Sequence, residues 1–185
     1  MKKVIVLLVV LLTLCGCEKK IKYDYPDSEI ADMSGYQQLD SDTSQFYKLT
    51  ISGFLSLIEE EKTFIVYFGY EECPWCNDLL PILNEVSIEK QLPIYYIDFM
   101  SEENKNDIDG LEKIKDLCSD FLEEDDQGQL KLYFPTVFYV REGKVIEIHQ
   151  GTVSGHDASK SALTEKQKAR LKYNLEKEFD NLFKE

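Results

Sequence analysis

At 185 residues with 43% hydrophobic content, the chain is long enough for one globular domain with a proper core plus an appendage, and crowded for two. Its 35 acidic against 21 basic residues give a formal net charge of −14. That balance excludes nucleic acid, whose phosphates would be repelled, and leaves no basic patch for anionic lipid headgroups; solubility is reason enough for such a surface.

The N-terminus reads as a targeting segment. Lys2 and Lys3 precede an apolar run from Val4 to Leu14 and then Cys15-Gly16-Cys17, the charged, apolar and small-residue order of a secretory signal. The run is too short for the ~20 residues of a membrane-spanning helix. Leu14-Cys15-Gly16-Cys17 resembles the bacterial lipobox, in which the signal is cut before the final cysteine and that cysteine takes up diacylglycerol; Leu14 and Gly16 fit, and Cys15 is the less usual residue. The resemblance implies a lipoprotein signal peptide at 1–16 and lipidation at Cys17. The chain would then be extracytoplasmic, anchored to the membrane by acyl chains worth ~0.8 kcal/mol per buried CH₂. An ordinary cleaved signal, releasing a soluble exported protein, is the alternative.

Residues 17–44 are polar and without periodicity, which suits a tether, although Tyr23, Tyr25 and Tyr36 could pack back on the domain. The domain itself is expected over 45–185. Gln45 to Thr50 reads as a first strand, and Ile51, Phe54, Leu55 and Ile58 fall on one face of a helix that ends in the solvated glutamates 59 to 61.

Phe64 to Phe68 is a short β-branched and aromatic run of the kind buried in a parallel sheet, and Gly69 ends it. Leu79, Leu80, Ile82, Leu83 and Val86 recur at helical spacing, so a helix should begin at Cys73-Pro74-Trp75-Cys76, with Pro74 suited to its first turn. A helix start offers unpaired N–H groups and about half a positive charge, which favours a thiolate there over a thiol. Cys73 is therefore the candidate nucleophile, its sulfur expected to project from the helix tip as a reachable attacker, and Cys76, one turn further in, the resolving thiol. Glu71 and Glu72 add negative charge beside Cys73 and oppose the effect. Two other readings stand beside this one. A zinc site needs a second ligand pair, and only the scattered Cys118, His149 and His156 are on offer, so no metal is assigned. An inert structural disulfide needs only an oxidising compartment.

Ile94 to Phe99 is the next apolar strand, so strands alternate with helices and a partly parallel sheet follows. Asp98 stands near its end, where a turn cap is the ordinary role. Leu111, Ile114, Leu117, Cys118, Phe121 and Leu122 mark a helix with Cys118 on its apolar face, a buried and inert thiol by default. After a charged turn over 123–129, Leu132 to Val140 and Val145 to Ile148 read as strands joined by a hairpin at Arg141-Glu142-Gly143-Lys144. Lys160 to Phe183 is a closing helix with Leu171, Leu175, Phe179 and Leu182 inward. His149 and His156 show no partner spacing and take a solvent or strand-end role.

Strand, cysteine motif, helix and the proline at Pro81 occur here in the order of the thioredoxin superfamily, which this chain resembles over roughly 45–185. The resemblance implies an α/β thioredoxin-like fold, a central mixed sheet flanked by helices, and thiol-disulfide oxidoreductase activity at Cys73 and Cys76 without a cofactor. Phe134-Pro135-Thr136 resembles the superfamily's cis-proline element, whose loop faces the cysteine pair and whose Phe134 backbone would pair with a substrate strand. Six residues before the first cysteine, where thioredoxins proper usually bury an aspartate, this chain has Tyr67, so the usual proton acceptor for Cys76 is missing. Trp75 also departs from the thioredoxin pattern. The lipoprotein form with this motif is similar to thioredoxin-like bacteriocin transport accessory proteins, which implies exported proteins or peptides with cysteines as substrates, a separate redox partner and a monomeric chain. A lipid-anchored, chaperone-like binding module with an incidental cysteine pair is the alternative from another functional class.

Overall fold

The structure is a computed structural model and describes residues 20–40 and 44–184; the apolar run at Val4 to Leu14 and the lipidation candidate Cys17 lie outside the described residues. Among the described residues, seven strands, four α-helices and one 3-10 turn follow in order: β1 (Phe46–Lys48), α1 (Ile51–Glu59), β2 (Phe64–Gly69), α2 (Pro74–Lys90), β3 (Ile94–Asp98), α3 (Ile108–Leu117), the 3-10 turn (Ser119–Phe121), β4 (Glu123–Glu124), β5 (Leu130–Lys131), β6 (Thr136–Arg141), β7 (Lys144–Gln150) and α4 (Glu165–Asn181). Five strands form one sheet in the order β1-β3-β2-β6-β7, while β4 and β5 make a small separate hairpin.

In the sheet, β3 lies parallel to both β1 and β2, and β6 runs antiparallel to β2 and β7. A parallel half joined through α2 and an antiparallel hairpin half is the mixed sheet of the thioredoxin fold. Central β2 is buried on both faces, as its unbroken apolar run requires. The period of two then sorts its residues: Phe64, Val66 and Phe68 meet α1 and α3, while Ile65 and Tyr67 meet α2 and α4.

Helix ends follow local chemistry. Thr50 caps α1 by accepting from the Gly53 N–H, Asp107 caps α3 through Gly110, and Thr164 and Gln167 form a reciprocal capping box on α4. The β6–β7 hairpin turns through Glu142 and Gly143, both at positive φ, and a side chain at Gly143 would strike the Ile58 carbonyl.

Four expectations are corrected. The polar segment read as a tether is, over residues 20–40, packed on the domain. Ala31 N–H donates to the Phe46 carbonyl at 2.9 Å and Lys48 N–H to the Glu29 carbonyl at 2.8 Å, so the segment covers the free edge of β1. Tyr23, Ala31, Met33 and Tyr36 enter the core, and Tyr23 Oη donates to the Pro93 carbonyl. The third α-helix stops at Leu117 and the chain continues as a single 3-10 turn over Ser119–Phe121, with Leu117 and Phe121 exposed, because its inward stripe narrows to Ile114 and Cys118 before the chain turns into the β4–β5 hairpin. The charged stretch after it is that hairpin, not a plain turn. Leu132 to Pro135 is loop, since β6 starts only after Pro135, which has no N–H to give a ladder.

Candidate active site

The cysteine pair sits where β2 runs into α2. Cys73 is the N-cap of α2, with Pro74 in its first turn and Pro81 further inside, where the helix loses one backbone bond. Asn77 Nδ2 donates to the Glu71 carbonyl at 2.7 Å and the Cys73 carbonyl at 3.1 Å, folding the loop before the helix onto its first turn.

Cys73 Sγ accepts the Cys76 backbone N–H at 3.2 Å, taking the place of a capping oxygen. The Cys73 thiol is held below its ordinary range, first by the Cys76 side chain as hydrogen-bond donor and then by the backbone N–H groups of Cys76 and Trp75, with burial opposing. Burial pushes Cys76 far the other way, and the Cys73 sulfur beside it adds to the shift; the Tyr67 hydroxyl and the Tyr70 backbone pull it back. Two sulfurs one helical turn apart are thus pushed in opposite directions, Cys73 toward the stronger acid and Cys76 toward the weaker. Both are free thiols in this structure.

The expectation of a projecting sulfur is corrected, since Cys73 is only 3% exposed. A helix tip supplies polarity to its cap without exposing it. Phe134, whose carbonyl lies 3.8 Å from Cys73 Sγ, is among the residues that govern access to it. The Glu71 carboxylate lies against Gly35, where even a Cβ would overlap it; its own pKa is raised by burial and by Asp98, Glu72 and Asp32. Burial is the largest influence opposing the Cys73 thiolate.

The Phe134–Pro135 bond is cis. Phe134 is wedged among the rings of Phe68, Tyr70 and Phe99 at centroid distances of 5.1, 5.7 and 4.6 Å. Gly151 N–H donates to the Pro135 carbonyl at 2.8 Å, and buried Thr136 donates through Oγ1 to the Tyr133 carbonyl while accepting from Gln150. The loop is therefore fixed from both strands of the β6–β7 hairpin. Pro74 is exposed and Trp75 half-buried at the rim.

Tyr67 brings its hydroxyl to the buried sulfur. An added Cβ on Gly69 would lie 2.4 Å from Tyr67 Oη and 3.0 Å from Cys76 Sγ, so Gly69 leaves the space in which the two meet. Tyr67 Oη donates to Tyr36 Oη at 3.4 Å, and Tyr36 Oη is 3.0 Å from Tyr96 Oη. Tyr96 in turn lines a cavity of about 560 Å³ with Asp32, Lys48, Glu71, Asp98 and Asn104. Asn104 holds the rim by accepting from Ile51 N–H and donating to the Asp98 carbonyl, while Asp98 caps the Met100 N–H at 2.9 Å.

His149 has the strand-end place expected of it, next to the last residue of β7, but is buried there, and His156 is paired and buried rather than solvated. His156 Nε2 meets Asp78 Oδ2 at 2.7 Å with side chains 1% and 8% exposed, tying the loop after β7 to α2 two residues past Cys76. His149 Nδ1 meets Glu178 Oε1 at 3.0 Å, and Tyr139 donates to the other oxygen of that carboxylate. Neither pairing could be read from spacing, because the partners stand 78 and 29 residues apart.

Cys118 is buried on the other face of the sheet, donates to the Ile114 carbonyl at 3.0 Å and is pushed up to about 11 by burial. Among the described residues no group of three or more His, Cys, Asp or Glu could hold a metal ion, and no helix is long and apolar enough to cross a membrane.

No family model matches the chain. It is similar to solved structures of thioredoxin O2 from Arabidopsis thaliana in its oxidised state (18% identity, 76% of this chain and 96% of that one, TM-score 0.44), of thioredoxin from Aeropyrum pernix (19%, 56% and 73%, 0.39) and of mitochondrial thioredoxin 3 from Saccharomyces cerevisiae in its oxidised form (19%, 56% and 81%, 0.36).

Proposed function

We propose that the protein is an extracytoplasmic thiol-disulfide oxidoreductase, held to a membrane through a lipidated Cys17, that exchanges disulfides with exported proteins or peptides. The reading is supported above all by the opposed states of the two sulfurs: Cys73, capping α2 and bonded to the Cys76 N–H at 3.2 Å, is the stronger acid, and Cys76 the weaker. In the reducing direction the Cys73 thiolate attacks a substrate disulfide, one substrate sulfur leaves with its electron pair, and a mixed disulfide forms at Cys73. Cys76 then attacks Cys73 Sγ, the internal disulfide closes, and the second substrate sulfur leaves. The oxidising direction is the same path reversed. A substrate strand beside Phe134 would lie along the fixed cis-proline loop with its sulfur in line with Cys73.

Cys76→Ser tests this directly. The variant stops at the mixed disulfide, so cells expressing it accumulate adducts through Cys73 that a reductant releases and mass spectrometry names. Absence of adducts under conditions where wild-type protein cycles would overturn the reading.

A second reading draws on one observation, the 3% exposure of Cys73, which suits a module that binds polypeptide along the cis-proline loop with the cysteines incidental. Cells lacking the protein but fully rescued by Cys73→Ser/Cys76→Ser would establish that reading and remove the enzymatic one.

A further inference from the structure

The second half of any exchange at this pair has a proton problem. Cys76 is fully buried, and burial together with the Cys73 sulfur keeps its proton on; yet it attacks only as a thiolate. No carboxylate stands at position 67, where thioredoxins proper usually bury an aspartate.

We propose that Tyr67, Tyr36 and Tyr96 form a hydroxyl relay that moves the Cys76 proton between the buried sulfur and the acidic cavity beside the active-site loop. This rests on the exchange activity proposed above. The groups follow one another: Tyr67 Oη and Cys76 Sγ border the same space over Gly69 and interact there, Tyr67 Oη donates to Tyr36 Oη at 3.4 Å, Tyr36 Oη reaches Tyr96 Oη at 3.0 Å, and Tyr96 lines a cavity of about 560 Å³. Tyr96 is buried, but it lines that cavity together with four carboxylates, Asp32, Glu71, Asp98 and Glu103, and the Lys48 ammonium, and Asp98 and Glu71 are the carboxylates that act on its hydroxyl most strongly.

Each member is a hydroxyl that can donate one bond while accepting another, which is the requirement for passing a proton without forming a charged intermediate. That matters here because burial disfavours ionisation at Tyr67, Tyr36 and Tyr96 alike. In one concerted shift the Cys76 S–H bond breaks toward Tyr67 Oη, the Tyr67 proton moves to Tyr36, the Tyr36 proton to Tyr96, and the Tyr96 proton to water or a carboxylate in the cavity. Three neutral tyrosines remain. The Cys76 thiolate then bonds to Cys73 Sγ and the substrate thiolate departs, so the dithiol is oxidised and the substrate disulfide reduced. Glu71 suits the receiving end, since burial and the neighbouring carboxylates Asp98, Glu72 and Asp32 raise its affinity for a proton.

Packing alone does not account for the arrangement. The Tyr67 and Tyr96 rings stack at 5.5 Å and Tyr36 stands edge-on to both, contacts that phenylalanine would make equally well. Buried hydroxyls need partners, which explains why they bond one another. It does not explain why the string begins at the resolving sulfur and ends at an open, acidic cavity. The middle member, Tyr36, is supplied by the N-terminal segment, which gives that segment a part in the chemistry as well as in covering a sheet edge.

The test separates the two steps of exchange. Reduced full-length mature protein is mixed in stopped flow with dithiobis-nitrobenzoate, which releases one coloured thiolate when Cys73 attacks and a second when Cys76 resolves. Tyr67→Phe, Tyr36→Phe and Tyr96→Phe are each expected to leave the first phase unchanged, to slow the second by about tenfold or more, and to alter its solvent deuterium isotope effect. Tyr23→Phe deletes a buried hydroxyl off the path, bonded to Pro93 and Ile65, and is expected to leave both phases as they are. An unchanged second phase in Tyr36→Phe overturns the relay, as does equal slowing of both phases or equal slowing in Tyr23→Phe. If wild-type protein shows no first phase, the exchange activity itself falls, a different failure.

Discussion

Each face of the central sheet buries a cysteine, and the two make a controlled contrast. Cys76 lies on the face covered by α2 and α4, Cys118 on the face covered by α1 and α3, and both are fully buried. Burial raises both thiols. Around Cys118 the face is a cluster of Phe54, Phe64, Phe68, Phe138 and aliphatic neighbours, and the thiol spends its hydrogen on its own helix at Ile114. Around Cys76 stand a second sulfur at a helix cap and a string of three phenolic hydroxyls. Burial acts on both thiols alike, and the difference between them is the capping neighbour and the string of hydroxyls that only Cys76 has.

The contrast can be broken first on the apolar side. Phe138→Ala removes a buried ring that touches Phe54 and Phe68, and should cost about 3–5 kcal/mol in urea unfolding while leaving the rate of disulfide exchange by the folded protein close to wild type. Comparable loss of exchange in the folded variant would mean that the two faces are not independent.

On the other side, Gly69→Ala forces a methyl group into the gap shared by Tyr67 Oη and Cys76 Sγ. A destabilisation of about 1–3 kcal/mol is expected, with the resolution step slowed more than the first attack on substrate. Equal slowing of both steps would show that the glycine serves the backbone alone.

The smallest effect is expected at Cys118, where Cys118→Ala should cost about 1 kcal/mol and leave exchange intact. Its signature is in the pH dependence. The folded state keeps the Cys118 proton up to about 11, whereas an unfolded thiol loses it near 9.0, so the stabilisation is present below 9.0 and is lost as pH rises from there to about 11. Urea midpoints of Cys118→Ala should therefore fall less steeply across that window than those of the wild type. Parallel curves would contradict the assignment.

Much of this was legible in the chain. The strand at Phe64 to Phe68, the helix opening at the cysteines and the hairpin at Glu142 and Gly143 are local, because a run of apolar residues, a proline and a glycine act on their own neighbours. What stayed hidden depends on contacts distant in sequence. Tyr36 sits in a polar stretch without periodicity, and only the folded sheet brings it to Tyr67 and Tyr96, 31 and 60 residues away. His156 finds Asp78 in the same way. The depth of Cys73 is not legible in the sequence for a different reason: a helix tip predicts charge preference, whereas exposure is set by what packs above it, here including the half-buried Phe134 on a distant loop.

The split between the two active-site sulfurs is tested most directly by the pH dependence of alkylation. Reduced protein treated briefly with iodoacetamide and mapped by mass spectrometry should carry the label on Cys73, with Cys76 and Cys118 protected, and the labelling rate should rise through a midpoint below the ordinary thiol value of 9.0. A midpoint at or above 9.0, or Cys76 modified before Cys73, would contradict it.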